Sequence, residues 1–456
     1  MSVNADVWEV AASVYPWDLH DEGVNAVLDN LQEKALVNSV YLVGLMHPEP
    51  RPWGDNDFPH NPARKRYMPE DSRVYWHPQP QRFGRITPEL SDRDFLRDHD
   101  WLEVLTGEAN RRNMRKGLEI SHTLVGAERA LAEFPDCVQR DINGEPLTGL
   151  HVDGARPLCF NHPDVSEYIV SLFSDVVERY SVDYVQSCMI PYPMPVPFLK
   201  HEYDASHQSH MDYRGFPGVT SHHWPRRVSQ LAGCFCASCR AVAESRGIDL
   251  SRIQAVLKNT LAGDREAMGD GNRRTYIEEG DTSESGYLVE TPELFQWLVF
   301  RCESVAAMYG RIHRAIHEIR PEVELRLNLY VTTHPEYAGL DLRRLRSVVD
   351  GVRTSNYSEC LGDPLYLDQK RRFLNGVQRV IYGKIPLYSG TGVKSGATRA
   401  TIIEGIRLAW ECGAAGITLG HYDAATFERL EAVGEGLRLL EAAGGRPAGD
   451  RRIGGD

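Results

Sequence analysis

No stretch of the chain reaches the roughly 18 consecutive apolar residues that span a bilayer, and no run of Lys and Arg follows a phosphate backbone. A membrane span and a nucleic-acid partner are therefore not expected. Charge points the same way, with 51 Lys+Arg against 64 Asp+Glu and a net of −13. Cysteine is sparse: nine in 456 residues, an odd number. That usage fits reduced thiols in a cytoplasm-like compartment rather than a disulfide framework. Residues 1–10 carry neither a basic nor an apolar leader segment, so no signal peptide is expected. Also missing are a P-loop, a Gly-x-Ser-x-Gly elbow and a Rossmann glycine fingerprint after the first strand, so no organic cofactor is expected. Internal repeats and low-complexity tracts are absent too.

What is present is an alternation. Apolar, β-branched runs at 7–15, 39–46, 117–124, 182–190, 323–331, 349–355, 380–388 and 416–420 predict eight strands. Helical periodicity follows them at 21–35, 163–180, 292–320, 397–412 and 424–442. The third of these opens with Thr291 as N-cap and Pro292 as its first residue. Leu294, Leu298, Val305, Met308, Ile312, Ile316 and Ile319 then make an apolar stripe, which Pro321 stops. Eight such repeats predict an α/β fold, a (β/α)8 TIM barrel; a doubly wound open sheet is the rival, because counting strands does not establish closure. Helix-to-strand links are short, while the long segments follow strands two, three and four. The chain therefore reads as one barrel over 1–443 with insertions at about 47–91, 125–162 and 191–290. In this fold such loops wall one mouth at the C-terminal ends of the strands. Residues 444–456 read as a flexible tail.

Cys234, Cys236 and Cys239 are spaced to converge on one tetrahedral ion, which calls for a fourth ligand. Cys188, at the end of the fourth strand, is the first choice; Cys159, His222 and His223 are reserves. Structural zinc is the expected occupant, and three buried unliganded thiols are the alternative.

This cluster resembles the cysteine cluster of family 42 β-galactosidases, and the chain more broadly resembles glycoside-hydrolase-like TIM-barrel proteins. Residues 158–164, 180–185, 290–301 and 420–423 carry that broader likeness. The resemblance implies a carbohydrate-active hydrolase acting on a small-molecule or oligosaccharide substrate. It also implies an acid/base Glu at the end of the fourth strand. Here that strand carries Gln186 and Cys188 instead, with no carboxylate.

Glycosidic cleavage needs two carboxyl groups flanking one bond, one protonated and one ionised. Glu359 and Asp423, from strand ends two positions apart, form the expected pair, with Asp18 as substitute. His47, His122, Gln186, Asn328, Tyr330 and Asn356 would position hydroxyls, with His421 and Trp17 at the same rim. Each carboxylate has a plainer reading: Asp423 or Asp18 as a helix cap, Glu359 as a solvated loop residue. Aromatic and His-rich loops around Trp53, Phe58, His60, Tyr67, Tyr75, Trp76, Phe83 and Tyr192 suit pyranose faces, or else pack the loops onto the barrel. Two other functions remain open: a metal-dependent sugar isomerase, epimerase or lyase, and a barrel that binds carbohydrate without chemistry. Association into a homo-oligomer is also open.

Overall fold

The computed structural model describes residues 8–45, 59–61, 73–121, 123–147, 155–188, 191–192, 231–268, 291–329 and 335–445. Eight parallel strands form its centre: β1 (Glu9–Val14), β2 (Ser39–Leu45), β3 (Arg115–Ile120), β4 (Tyr184–Ser187), β5 (Glu324–Leu329), β6 (Gly351–Thr354), β7 (Leu387–Thr391) and β8 (Gly416–Leu419). Each pairs with the next, and β1 pairs with both β2 and β8. The sheet closes on itself. This is the (β/α)8 barrel expected from the alternation, and the open sheet is set aside.

The helices outside it are α1 (Val24–Ala35), α2 (Trp101–Arg111), α3 (Pro163–Arg179), α4 (Ala237–Ser245), α5 (Leu250–Met268), α6 (Pro292–Ile319), α7 (Leu365–Ile381), α8 (Arg399–Glu411) and α9 (Phe427–Ala442). α6 begins where its Pro predicts, and Leu294, Val305, Met308, Ile312 and Ile316 are buried along it. Each such side chain contributes about 1.5–3 kcal/mol by leaving water. One boundary differs from expectation. Val380 and Ile381 end α7, and β7 starts only at Leu387. Both segments are apolar, so the hydrophobic run alone does not mark the helix-to-strand break, which falls at Tyr382 and Gly383 with positive φ.

Charged side chains close the floor of the barrel. The Arg326 guanidinium lies between the rings of Tyr184 and Tyr388, 3.8 and 3.9 Å from their centroids. It donates to both oxygens of Glu9 at 2.7 and 2.9 Å and to the Tyr388 hydroxyl at 3.0 Å. Arg115 bridges Glu9 and Glu324 at 2.6 and 2.8 Å. A buried charge is tolerated when it is paired and hydrogen-bonded on every side, and this network ties β1, β3, β5 and β7 together.

Candidate active site and cysteine centre

At the C-terminal rim, β1 and β8 bring four of the expected site residues together. After β1 the chain turns at Tyr15 into a short helical segment, Pro16–Asp18. The Asp18 carboxylate folds back to accept the Tyr15 backbone N–H at 2.8 Å. Trp17 is buried, with its ring stacked on Tyr15 at 4.3 Å. After β8, His421 stacks on the other partner of the group, Tyr15, at 4.9 Å, and its Nδ1 lies 3.0 Å from Ser13 Oγ. Asp423 follows, fully buried like Asp18.

Burial pushes the Asp18 carboxyl well above the usual carboxylate range. The charge of Asp423 adds to the rise, the Tyr15 N–H opposes it, and Glu22 and Asp21 raise it further. Burial and a like charge both disfavour the ionised form of such a carboxyl group. Asp423 is not the N-cap of α9, which is Thr426; Asp18 closes a capping box on Tyr15 and stands at the N-cap position of the helical turn Leu19–Gly23, so its cap reading holds in part. His60 completes the wall. It pairs with Glu22 at 3.0 Å, donates from Nε2 to the Tyr422 carbonyl at 3.0 Å, and lies against Phe427. Burial lowers the affinity of this imidazole for a proton, but the Glu22 carboxylate more than offsets it, so its pKa is raised.

Below the rim, a second polar group fills the barrel interior. Gln186 donates to Glu119, an inward residue of β3. Arg353 on β6 donates to Asn328 Oδ1 at 2.9 Å and Ser355 Oγ at 2.6 Å, and also to the Tyr357 hydroxyl. Asn328 donates in turn to Cys188 Sγ at 3.3 Å. Burial raises the Glu119 carboxyl pKa, with Arg353 and Gln186 working against it. Tyr41, acted on by both Ser13 and Gln186, joins this group to the rim. Glu119 and Arg353 went unread in the sequence. Their signal was a charged residue in the interior of a barrel strand, at a position that alternation turns inward.

Glu359 requires correction. It is neither solvated nor at the mouth. The turn after β6 sends its carboxylate outward, behind β7, where it pairs with Lys370 of α7 and accepts the Gly392 N–H at 2.9 Å. A Cβ at position 405 of α8 would stand 2.2 Å from Glu359 Oε1, so glycine there is what leaves room for the pair. Lys370 and the Gly392 N–H thus account for both oxygens of Glu359. Asn356 is spent on its own turn, accepting from Ser358 N at 3.2 Å. His47, His122 and Tyr330 lie outside the described residues, as do Trp53, Phe58, Tyr67, His222 and His223. Among the loop aromatics that are described, Tyr75, Trp76, Phe83 and Tyr192 are buried and pack the loops down.

The fourth thiol of the cysteine centre is Cys159, and not Cys188. Cys188 stays inside the barrel on Asn328, whereas the sulfurs of Cys159, Cys234, Cys236 and Cys239 all lie within 4.8 Å of one another. Cys159 and Cys239 are 3.5 Å apart. Tetrahedral zinc with Zn–S bonds of about 2.3 Å separates its sulfurs by roughly 3.8 Å, so the set fits that ion. Arg140 N–H and Asn161 Nδ2 each donate to a sulfur at 3.3 Å, and the Cys239 N–H donates to Cys236 at 3.4 Å. These are the contacts that hold thiolates in place. Buried Arg301, stacked on Tyr192 at 4.3 Å, brings a positive charge that Cys239 and Cys234 feel. The centre joins the segment after β3 to the segment after β4, rather than a loop to a strand.

No protein-family model matches the chain, and no curated protein matches it. Solved structures do. The glycoside hydrolase domain of PgaB from Bordetella bronchiseptica superposes with a TM-score of 0.56 at 12% identity, covering 95% of this chain and 98% of that one. The α-L-fucosidase isoenzyme 2 of Paenibacillus thiaminolyticus gives 0.52 at 14% identity, covering 96% of this chain and 50% of that one. The cold-adapted β-galactosidase of Rahnella sp. R3 gives 0.52 at 12%, covering 97% and 57%. This chain thus spans about half the length of the last two. What is shared is the fold. All three neighbours are glycoside-cleaving enzymes by their titles, and their likeness carries no assignment of individual residues.

Proposed function

We propose that the protein is a carbohydrate-active hydrolase that cleaves a glycosidic bond at the C-terminal mouth of the barrel. Asp18 serves as the protonated acid and Asp423 as its ionised partner. The observation that carries this reading is the pair itself: two fully buried carboxyl groups at adjacent strand ends, with burial and the charge of Asp423 both raising the Asp18 carboxyl pKa. General acid chemistry on a leaving-group oxygen requires a carboxyl still protonated at working pH, and the second charge supports an oxocarbenium-like transition state. Trp17 and Tyr15 keep water from the pair and stiffen it. His421, Gln186, Asn328 and Glu119 are the polar groups available to substrate hydroxyls. The neighbours' titles favour an oligosaccharide substrate.

Cys159, Cys234, Cys236 and Cys239 would hold a structural zinc. With all four positions filled by sulfur, the ion fastens loops and supplies no open coordination site. Nine buried thiols suit a reducing, cytoplasm-like compartment.

The test is hydrolysis of a panel of aryl glycosides and oligosaccharides by the wild type and three variants. Asp18→Asn and Asp423→Asn should each lower kcat by about 10²–10⁴-fold. Glu359→Gln should alter stability and leave the turnover of the folded fraction near wild type. Unchanged turnover in both Asp variants, or no product from any glycoside, would overturn the proposal.

A further inference from the structure

His313 and His317 lie one turn apart on α6, at its C-terminal end, and both rings point at one carboxylate. His313 Nε2 is 3.2 Å from Asp350 Oδ1, and His317 Nε2 is 3.2 Å from Asp350 Oδ2. The rings lie side by side with centroids 3.9 Å apart. Asp350 is itself held from behind. Its Oδ2 accepts the Leu325 N–H at 2.8 Å, and its own N–H donates to the Leu325 carbonyl at 2.8 Å. All three side chains are about a quarter exposed (25%, 26% and 27%). The group sits where β5 and β6 begin, at the end of the barrel opposite the mouth, and takes no part in the proposed chemistry.

We infer that His313, His317 and Asp350 form a second metal site, an open one, for a divalent transition ion of the Zn²⁺, Co²⁺ or Ni²⁺ type. Three considerations carry this. The donor set, two imidazole nitrogens and a carboxylate, is what borderline divalent ions select over Mg²⁺ and Ca²⁺. The three ligand atoms lie within 4.8 Å of one another, and the 3.2 Å separations come close to the roughly 3.3 Å edge of a tetrahedron with metal–ligand bonds of about 2.0–2.1 Å. Asp350 is also fixed by the Leu325 backbone, an outer contact of the sort that orients a ligating carboxylate. Partial exposure gives an ion its route in and leaves water its remaining coordination positions. A bound ion would clamp the end of α6 to the starts of β5 and β6, and so act on stability rather than on turnover.

The experiment titrates Zn²⁺, and separately Ni²⁺, into the protein as purified, with binding followed by calorimetry and melting by fluorescence. The wild type should take up one ion beyond any already bound and melt at a higher temperature with it. His317→Gln keeps a hydrogen-bond donor for Asp350 but offers a far poorer ligand. His313→Gln does the same, and Asp350→Asn keeps the acceptor for Leu325. Each should weaken binding at least about tenfold and abolish the metal-dependent rise in Tm. Cys159→Ser should leave this uptake in place, which separates the two centres. An absence of binding by the wild type, or equal binding by the His and Asp variants, would overturn the inference. In that case the trio is a hydrogen-bonded brace alone.

Discussion

Asp18 is a residue whose placement works against folding. Free in the unfolded chain its carboxyl ionises near 3.8, whereas in the barrel burial and Asp423 hold it well above that. Above its unfolded pKa the unfolded chain gives up a proton that the folded chain keeps, so stability is full at lower pH and declines as pH rises toward the native value. Asp18→Asn removes the titration and can still accept the Tyr15 N–H. Denaturant midpoints should therefore show the variant gaining on the wild type as pH rises above 3.8, while losing activity. Parallel profiles would mean that the folded chain does not retain the proton. Sequence reasoning singled out Asp18, Asp423, His421 and Trp17, and they meet, because residues just beyond β1 and β8 must share a rim once the sheet closes. It failed with Glu359 because three residues of turn geometry decide whether such a side chain faces the mouth or the helices. Spacing does not encode that turn; the Gly405 that accommodates the carboxylate lies 46 positions away (405 against 359).

At the scale of elements, the eight strands were legible because parallel barrel strands are buried on both faces and read as short apolar runs. α2 and α7 were expected only as helices following their strands, without bounds, because Glu108 and Lys370 interrupt their buried stripes and α7 merges into the run that precedes β7. The cysteine centre was half legible. Its three clustered thiols announce a site within one turn, whereas Cys159 is 75 residues before Cys234 (234 against 159) and becomes a partner only when the loops after β3 and β4 come together. Because the four sulfurs link those two segments, Cys159→Ser should lose zinc measured by elemental analysis and lower the Tm. Limited proteolysis should then cut first between 125 and 162 or between 191 and 290, with the core of the barrel resisting longer. Zinc content equal to wild type in that variant would remove Cys159 from the ligand set.

For the molecule as a whole, the floor network sets the response to acid. Burial alone would raise the Glu9 carboxyl, but Arg326 first and then Arg115 overcome it and hold the group at about 2, against 4.5 when unperturbed. A depressed carboxyl lends stability above its unfolded pKa and withdraws it as pH falls through the folded one, so this contribution is lost between 4.5 and about 2. Glu9→Gln leaves Arg326 and Arg115 sharing the single carboxylate of Glu324. It should cost about 1.5–3 kcal/mol at neutral pH and flatten the acid limb of a denaturation curve, as read by circular dichroism. Arg326, wedged between two tyrosine rings, also has a bearing on traffic. With that end corked, a molecule taken up under the proposed function departs by the doorway it came in through, so a spent fragment must clear the threshold before a fresh one can follow.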